Sequence, residues 1–202
     1  LAACIGMFSE DADVLTLCDL PVAGREGRPR IWTTLRHHNQ MRPQEVTAVC
    51  VMPSRNFLVT ASHEDRSQGP FLINVWTLTK TPKLVNRFEI PTRVSALCYS
   101  VASDKLYIGG PGDIFSYTLV TKTETSGTRS ATTLRLRKEE TFTWHTGDIT
   151  ELLEIPDNIS PALCSSSIDG TIGLWNTHDN VLSNVLVGHE MGVRSIARSE
   201  EH

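Results

Sequence analysis

Short runs of apolar and β-branched residues recur along the whole chain, separated by clusters of Gly, Pro, Asp, Asn and Ser. VLTLC (14–18), VTAVCVM (46–52), FLVTAS (57–62), VSALCYS (94–100), ITELLEI (149–155), ALCSSS (162–167) and VLSNVLV (181–187) are representative. Runs of this length bounded by turn formers predict β-strands. No segment holds a helical period over three turns. LRLRKEETF (134–142) contains the helix formers Lys and Glu, yet Leu134, Leu136, Thr141, Phe142 and Thr143 suit an exposed strand better. The pattern predicts an all-β chain.

The runs are themselves periodic. A shift of 44 residues lays ADVLTLC (12–18) on NFLVTAS (56–62) and brings Trp32 onto Trp76, while RVSALC (93–98) matches EVTAVC (45–50). The anchoring aromatics are then Trp32, Trp76, Tyr117 and Trp175, at intervals of 44, 41 and 58 residues. The long last interval contains TKTETSGTRSATT (121–133), rich in Ser and Thr, which reads as an extended surface loop. About four strands per repeat of 40 to 45 residues indicate a stack of small sheets. The boundaries fall at 1–43, 44–91, 92–144 and 145–188, with 189–202 opening a further unit.

The fourth unit carries the most specific motif. His145 opens it, Ser165 lies in its second strand, Asp169-Gly170 forms a tight turn, Leu174-Trp175-Asn176 closes the third strand, and Gly188-His189 begins the next unit. This unit resembles a repeat of the WD-repeat (WD40) family, with Asn176 where the family has Asp. The resemblance implies a partial β-propeller of about four four-stranded blades plus the first strand of a fifth, forming one domain over 1–202. It further implies that His145, Ser165, Asp169 and Trp175 form the family's structural tetrad, passing hydrogen bonds from indole to hydroxyl to imidazole to carboxylate. The other units depart from the pattern: the second has Arg42 for His beside Thr60, Asp65 and Trp76, the third has Ile90 and Tyr117 for His and Trp, and the first has no His in place. GHEMGVRSIARSEEH (188–202) is similar to repeat openings in the large WD-repeat proteins of cilia and flagella.

Ser, His and Asp together also invite comparison with a hydrolase triad, but the chain has no GxSxG elbow, and a hydroxyl bonded to Trp is already occupied. The five cysteines, Cys4, Cys18, Cys50, Cys98 and Cys164, form no CxxC pair and sit in apolar runs, as reduced core thiols do. The Asn158-Ile159-Ser160 sequon is then incidental. His37-His38 would point to opposite faces of a strand, and His63-Glu64-Asp65 reads as solvated loop, so no metal or cofactor is expected. GREGRPR, with Arg25, Arg28 and Arg30, is a basic loop, and GGPGD (109–113) is a turn without the Lys-Ser/Thr of a phosphate loop. In the WD-repeat family, partners dock on the loops before each innermost strand, which here places Glu45, Arg93, Asp148 and Gly192 at the partner-binding face.

With 40% hydrophobic and 21% charged residues in 202, the chain has the composition of a folded domain, and no apolar run has the length of a membrane span. A formal net charge of −4 disfavours nucleic acid as a partner. Seven blades need roughly 300 residues, so the first residue, Leu1, and the unfinished last unit suggest a piece of something longer. The remaining blades would come from the same full-length chain or another chain. The expected function is a non-enzymatic protein-interaction scaffold of a multi-subunit complex, cytoplasmic and in its finer form cytoskeletal or ciliary (cilium, flagellum axoneme). A targeting propeller of a multidomain enzyme and an RNA- or ribosome-associated propeller are the alternatives.

Overall fold

The computed structural model describes residues 3–4, 14–19, 30–36, 38–39, 42–63, 69–79, 81–126, 129–155 and 162–198, with side chains from Gln44 onward except at 123–132. Arg25, Arg28, His37, Glu64, Asp65 and Asn158 to Ser160 lie outside the described residues, as do the side chains of Cys4, Cys18, Trp32 and Arg42. The fold is all-β and antiparallel, and among the described residues the one helical turn is a 3₁₀ turn at Pro53–Arg55. The chain forms two compact units, Leu1–Arg93 and Val94–His202, which divide between the second and third repeats.

In the first unit, β1 (Ala3–Cys4), β2 (Val14–Asp19) and β3 (Arg30–Arg36) make a three-stranded sheet. A fourth strand is expected there. Instead β4 (His38–Asn39) and β5 (Arg42–Pro43) pair with each other as a separate small hairpin, because Pro43 has no backbone N–H to offer a longer ladder. β6 (Glu45–Met52), β7 (Phe57–His63), β8 (Phe71–Thr77) and β9 (Leu84–Ile90) form the next sheet in sequential order. Its two central strands are the buried ones, and Asn56, held at φ 54° after the 3₁₀ turn, makes the bend that sends the chain back into β7. Leu58 and Trp76 pack together with Val49, Val51 and Leu78.

In the second unit, β10 (Ala96–Ser100), β11 (Lys105–Gly109), β12 (Pro111–Ser126), β13 (Arg129–Ile155), β14 (Ala162–Ser167), β15 (Ile172–Asn176) and β16 (Val181–Leu186) follow one another in sequential order. Two repeats share β13. Its first part pairs with β12 through Asp113↔Thr143 and, across a register shift, Pro111↔Asp148, and from Ile149↔Ser167 onward it pairs with β14. The bend between them falls at 144–148, where the Ile149 N–H donates to the Gly110 carbonyl at 3.1 Å.

The Ser/Thr-rich stretch 121–133 is not the open loop expected of it. It prolongs β12 and β13 as a hairpin whose rungs run Thr121↔Leu134, Lys122↔Thr133, Thr123↔Thr132, Glu124↔Ala131, Thr125↔Ser130 and Ser126↔Arg129. Thr is β-branched and suits an extended backbone, so a polar composition that reads as loop still zips onto a partner of the same kind. GGPGD does form a turn, closed by the Gly110 N–H on the Asp113 carbonyl at 2.9 Å, with Gly112 at φ 80°. At the other end, residues 187–198 are not in a strand.

The core of the second unit joins its third and fourth repeats. Ala96, Tyr107, Ile114, Phe142, Ile149, Leu152, Leu163 and Trp175 form one buried cluster. Within it Phe142 meets Tyr107 edge-on at 6.0 Å and Trp175 at 5.5 Å, the T-shaped geometry aromatic quadrupoles favour. Gly109 is required by this packing, since a Cβ there would stand 2.7 Å from Ile149 Cγ2.

Candidate functional site

Four side chains from four places in the fourth repeat converge. His145 sits at the bend of β13, Ser165 in β14, Asp169 in the β14–β15 turn and Trp175 in β15. Trp175 Nε1 donates to Ser165 Oγ at 2.8 Å, His145 Nε2 lies 2.8 Å from the same oxygen, and His145 Nδ1 lies 3.0 Å from Asp169 Oδ2. An indole N–H only donates, so Ser165 accepts from it and turns its own proton to His145 Nε2. His145 then carries its proton on Nδ1 and donates it to Asp169. One tautomer satisfies the whole chain.

The turn that presents Asp169 is closed by the Gly170 N–H on the Ser167 carbonyl at 3.2 Å and needs Gly170 at φ 87°. Asp169 Oδ2 accepts the Thr146 N–H at 2.9 Å, and Oδ1 accepts the Thr171 N–H at 2.9 Å and the Thr171 hydroxyl at 2.5 Å. Burial works against the carboxylate. The Thr171 hydroxyl, the Thr146 and Thr171 N–H groups and His145 outweigh it and hold the Asp169 carboxyl down at about 2.

Two members of this site escape a reading of the sequence. Thr171, whose Oγ lies 3.2 Å from His145 Nδ1, braces imidazole and carboxylate together. Gly173 stands opposite Ser165 in the β14–β15 register, and a Cβ on it would come within 3.0 Å of both Ser165 Oγ and Trp175 Nε1. The glycine is the space through which indole and hydroxyl meet. A small residue two before the Trp is the signal, visible only once the register is known.

Register also explains the weaker repeats. Trp175 faces Leu163 and bonds the hydroxyl two residues beyond it; Trp76 faces Leu58 and donates to Thr60 Oγ1, again two beyond, at 3.0 Å. In the third repeat Tyr117 faces Leu106, and the place of the hydroxyl holds Ile108. The indole donor and its hydroxyl acceptor are lost together, so neither is left buried without the other. The second repeat adds a ladder of its own: Ser62 donates to Gln44 Oε1 at 3.2 Å, Asn74 Nδ2 to Ser62 at 3.0 Å, and Arg87 Nε to Asn74 Oδ1 at 2.8 Å.

The positions expected to face partners are half-buried rather than fully exposed. Glu45 begins β6 opposite His63, with 4.0 Å between Oε2 and Nε2. Arg93 ends the first unit. Asp148 and Gly192 both border Ile168, the first by accepting its N–H at 3.0 Å, the second because a Cβ there would meet Ile168 Cα at 2.8 Å. Among the described residues no three His, Cys, Asp or Glu side chains converge as metal ligands, and no helix is long and apolar enough to cross a membrane. Cys50, Cys98 and Cys164 are free thiols.

This arrangement of sheets has counterparts among solved structures. The crystal structure of the RRP9 WD40 repeats superposes with a TM-score of 0.54 at 18% identity, covering 77% of this chain and 42% of that chain. The fold is that of WD40 repeats. The structure of U3-55K gives the same TM-score of 0.54 and 18% identity over 77% of this chain and 42% of that one, so the chain spans less than half the length of either. No family model matches the chain, and no curated protein sequence does. Within the WD40 fold, the hydrogen-bonded chain from Trp175 to Asp169 closes on itself: the Ser165 hydroxyl is fully buried, and both its proton and a lone pair are taken.

Proposed function

We propose that this chain is a non-enzymatic scaffold, a run of WD40 blades that presents its inter-strand loops to other proteins in a larger assembly. The observation that carries the reading is the consumption of the Ser165, His145 and Asp169 groups in burying Trp175. A nucleophile needs an exposed oxygen and an oxyanion site beside it; a structural hydroxyl between an indole and an imidazole has neither. The four residues act as a staple that holds the innermost strand to the third strand of the blade.

Further blades, from the same full-length chain or another, complete the ring in this reading. Residues 193–196 already run along β13, with the Thr150 hydroxyl on the Val193 carbonyl at 2.7 Å and the Ile196 N–H on Glu151 Oε2 at 2.7 Å, as the start of a neighbouring blade would. Membership of a ciliary or cytoskeletal complex is the finest form of the proposal. It rests on the resemblance of residues 188–202 and draws no support from the two structural neighbours.

Chemical cross-linking of the purified full-length protein in extract, with and without Ile168→Asp beside Asp148 and Gly192, tests the scaffold reading. The variant should lose specific cross-linked partners while its melting temperature holds. Hydrolysis of an ester or phosphate panel that disappears in Ser165→Ala would overturn it.

A further inference from the structure

β16 is the last strand of its sheet, with β15 beside it. The run VLSNVLV (181–187), which is β16 and the residue after it, holds no charge, no Pro and no Gly, and Val181, Leu186 and Val187 are 51%, 47% and 76% exposed. Runs of this kind on an outer strand are the material through which separate molecules pair edge to edge. The outer strand of the second repeat, β9, carries Arg87 and Glu89, charges that deter such pairing. β16 carries none.

What β16 does have is a bulge. Leu174↔Asn184 and Trp175↔Leu182 leave Ser183 as an extra residue, and Asn184 Oδ1 accepts the N–H of Val185 at 2.8 Å. β9 repeats the device: Val75↔Asn86 and Trp76↔Leu84 leave Val85 extra, and Asn86 Oδ1 accepts the Arg87 N–H at 2.8 Å. Each asparagine stands opposite the residue before its repeat's Trp.

The N–H groups of an antiparallel strand turn alternately towards the partner and away from it. The Thr77 N–H donates to the Lys83 carbonyl at 2.9 Å, so that position faces β8. Leu84 opposite Trp76 then faces away, the bulge opposite Val75 faces β8 again, and Arg87 opposite Asn74 faces away. Arg87 Nε, 2.8 Å from Asn74 Oδ1, fits the same phase, since side chains approach most closely in pairs without ladder bonds. Val185 faces Gly173 as Arg87 faces Asn74. The donor that each asparagine takes is the one aimed at the rim.

We infer that Asn184 closes the outer edge of β16 against strand pairing with a second copy of this chain. Pairing needs a row of main-chain donors and acceptors along a flat edge; the side-chain carbonyl removes the central donor, and the bulge twists the strand around it. A second copy is the occupant this edge would otherwise take. An uncharged apolar run meets itself antiparallel without opposed charges and buries Val181, Leu186 and Val187 on both sides. The inference goes beyond the scaffold reading and holds whatever the loops bind.

The test uses the full-length protein with Asn184→Ala. Exchange of the Val185 amide should quicken by up to about tenfold, the worth of one hydrogen bond. Sedimentation velocity at high protein concentration should show larger species than the unaltered chain does, at an unchanged melting temperature. Adding Leu186→Lys to the variant should restore the original species, because a charge on the edge deters pairing. Asn184→Gln, as polar as the native residue but with its oxygen one bond farther out, should associate as the Ala variant does and serves in its place if that variant melts early. Fast Val185 exchange with unchanged sedimentation overturns the inference, as does association that Leu186→Lys leaves in place. Unchanged Val185 exchange overturns it too, since Asn184 would then not hold the donor. A Gln variant that sediments as the unaltered chain does would show that polarity alone guards the edge, and the inference falls.

Discussion

Trp175 shows how much of a blade depends on single atoms. Its N–H is buried and has one acceptor, Ser165 Oγ, at 2.8 Å. Trp175→Phe keeps most of the ring's packing and strands the hydroxyl, so denaturant unfolding should report a loss of about 1 to 3 kcal/mol. Gly173→Ala should weaken the fold as well, because its methyl would intrude between hydroxyl and indole, and the Trp fluorescence maximum should move to longer wavelength. Asp169 adds a pH signature. Its carboxyl is held at about 2 against an ordinary 3.8, so its contribution to stability is complete above about pH 4 and is lost as pH falls towards 2. Asp169→Asn should lower stability at pH 7, and its gap to the unaltered protein should close over that acid window. Cys98 behaves oppositely: burial, with a smaller part from the Glu154 charge against the Glu154 backbone hydrogen bond, pushes its thiol up to about 12. Alkylation of the half-buried Cys98 at pH 8 should therefore be slower in the folded chain than in the unfolded one; equal rates would contradict its raised thiol.

Among the elements, β13 is the one that sequence patterns misjudge. Thr141, Phe142 and Thr143 announce a strand, and ITELLEI another, and the structure runs both into one element, from Arg129 to Ile155, that belongs to two repeats in turn. No Gly or Pro interrupts 129–146, so nothing in the backbone stops extension, and only the change of partner between Asp148 and Ile149 divides it. The Ser/Thr hairpin follows the same logic, since each of its rungs is local to β12 and β13. Replacing 123–132 with a two-residue turn should leave the midpoint of thermal unfolding close to that of the full chain, because the backbone rungs it removes pair β12 with β13 alone. A drop of more than a few degrees would show that the tip packs elsewhere. Phe142→Ala, by contrast, removes the ring between Tyr107 and Trp175 and should cost about 3 to 5 kcal/mol.

At the scale of the molecule, two compact units of similar length divide the chain. The Trp175→Phe lesion lies wholly in the second, so hydrogen exchange should accelerate across β10 to β16 and leave β6 to β9 at their original rate. Uniform acceleration would show a single cooperative block. The strands and most of their turns were legible in the residue order, because apolar runs and turn formers are properties of neighbouring residues, whereas the grouping of His145, Ser165, Asp169 and Trp175 was expected only from the resemblance to WD repeats. Gly173, Thr171, the Gln44 to Arg87 ladder and the paired loss at Ile108 and Tyr117 were not. Each depends on which residue stands opposite which across a sheet, and a cross-strand register is set by packing and hydrogen bonding between segments far apart in the chain. Only the tertiary structure decides it.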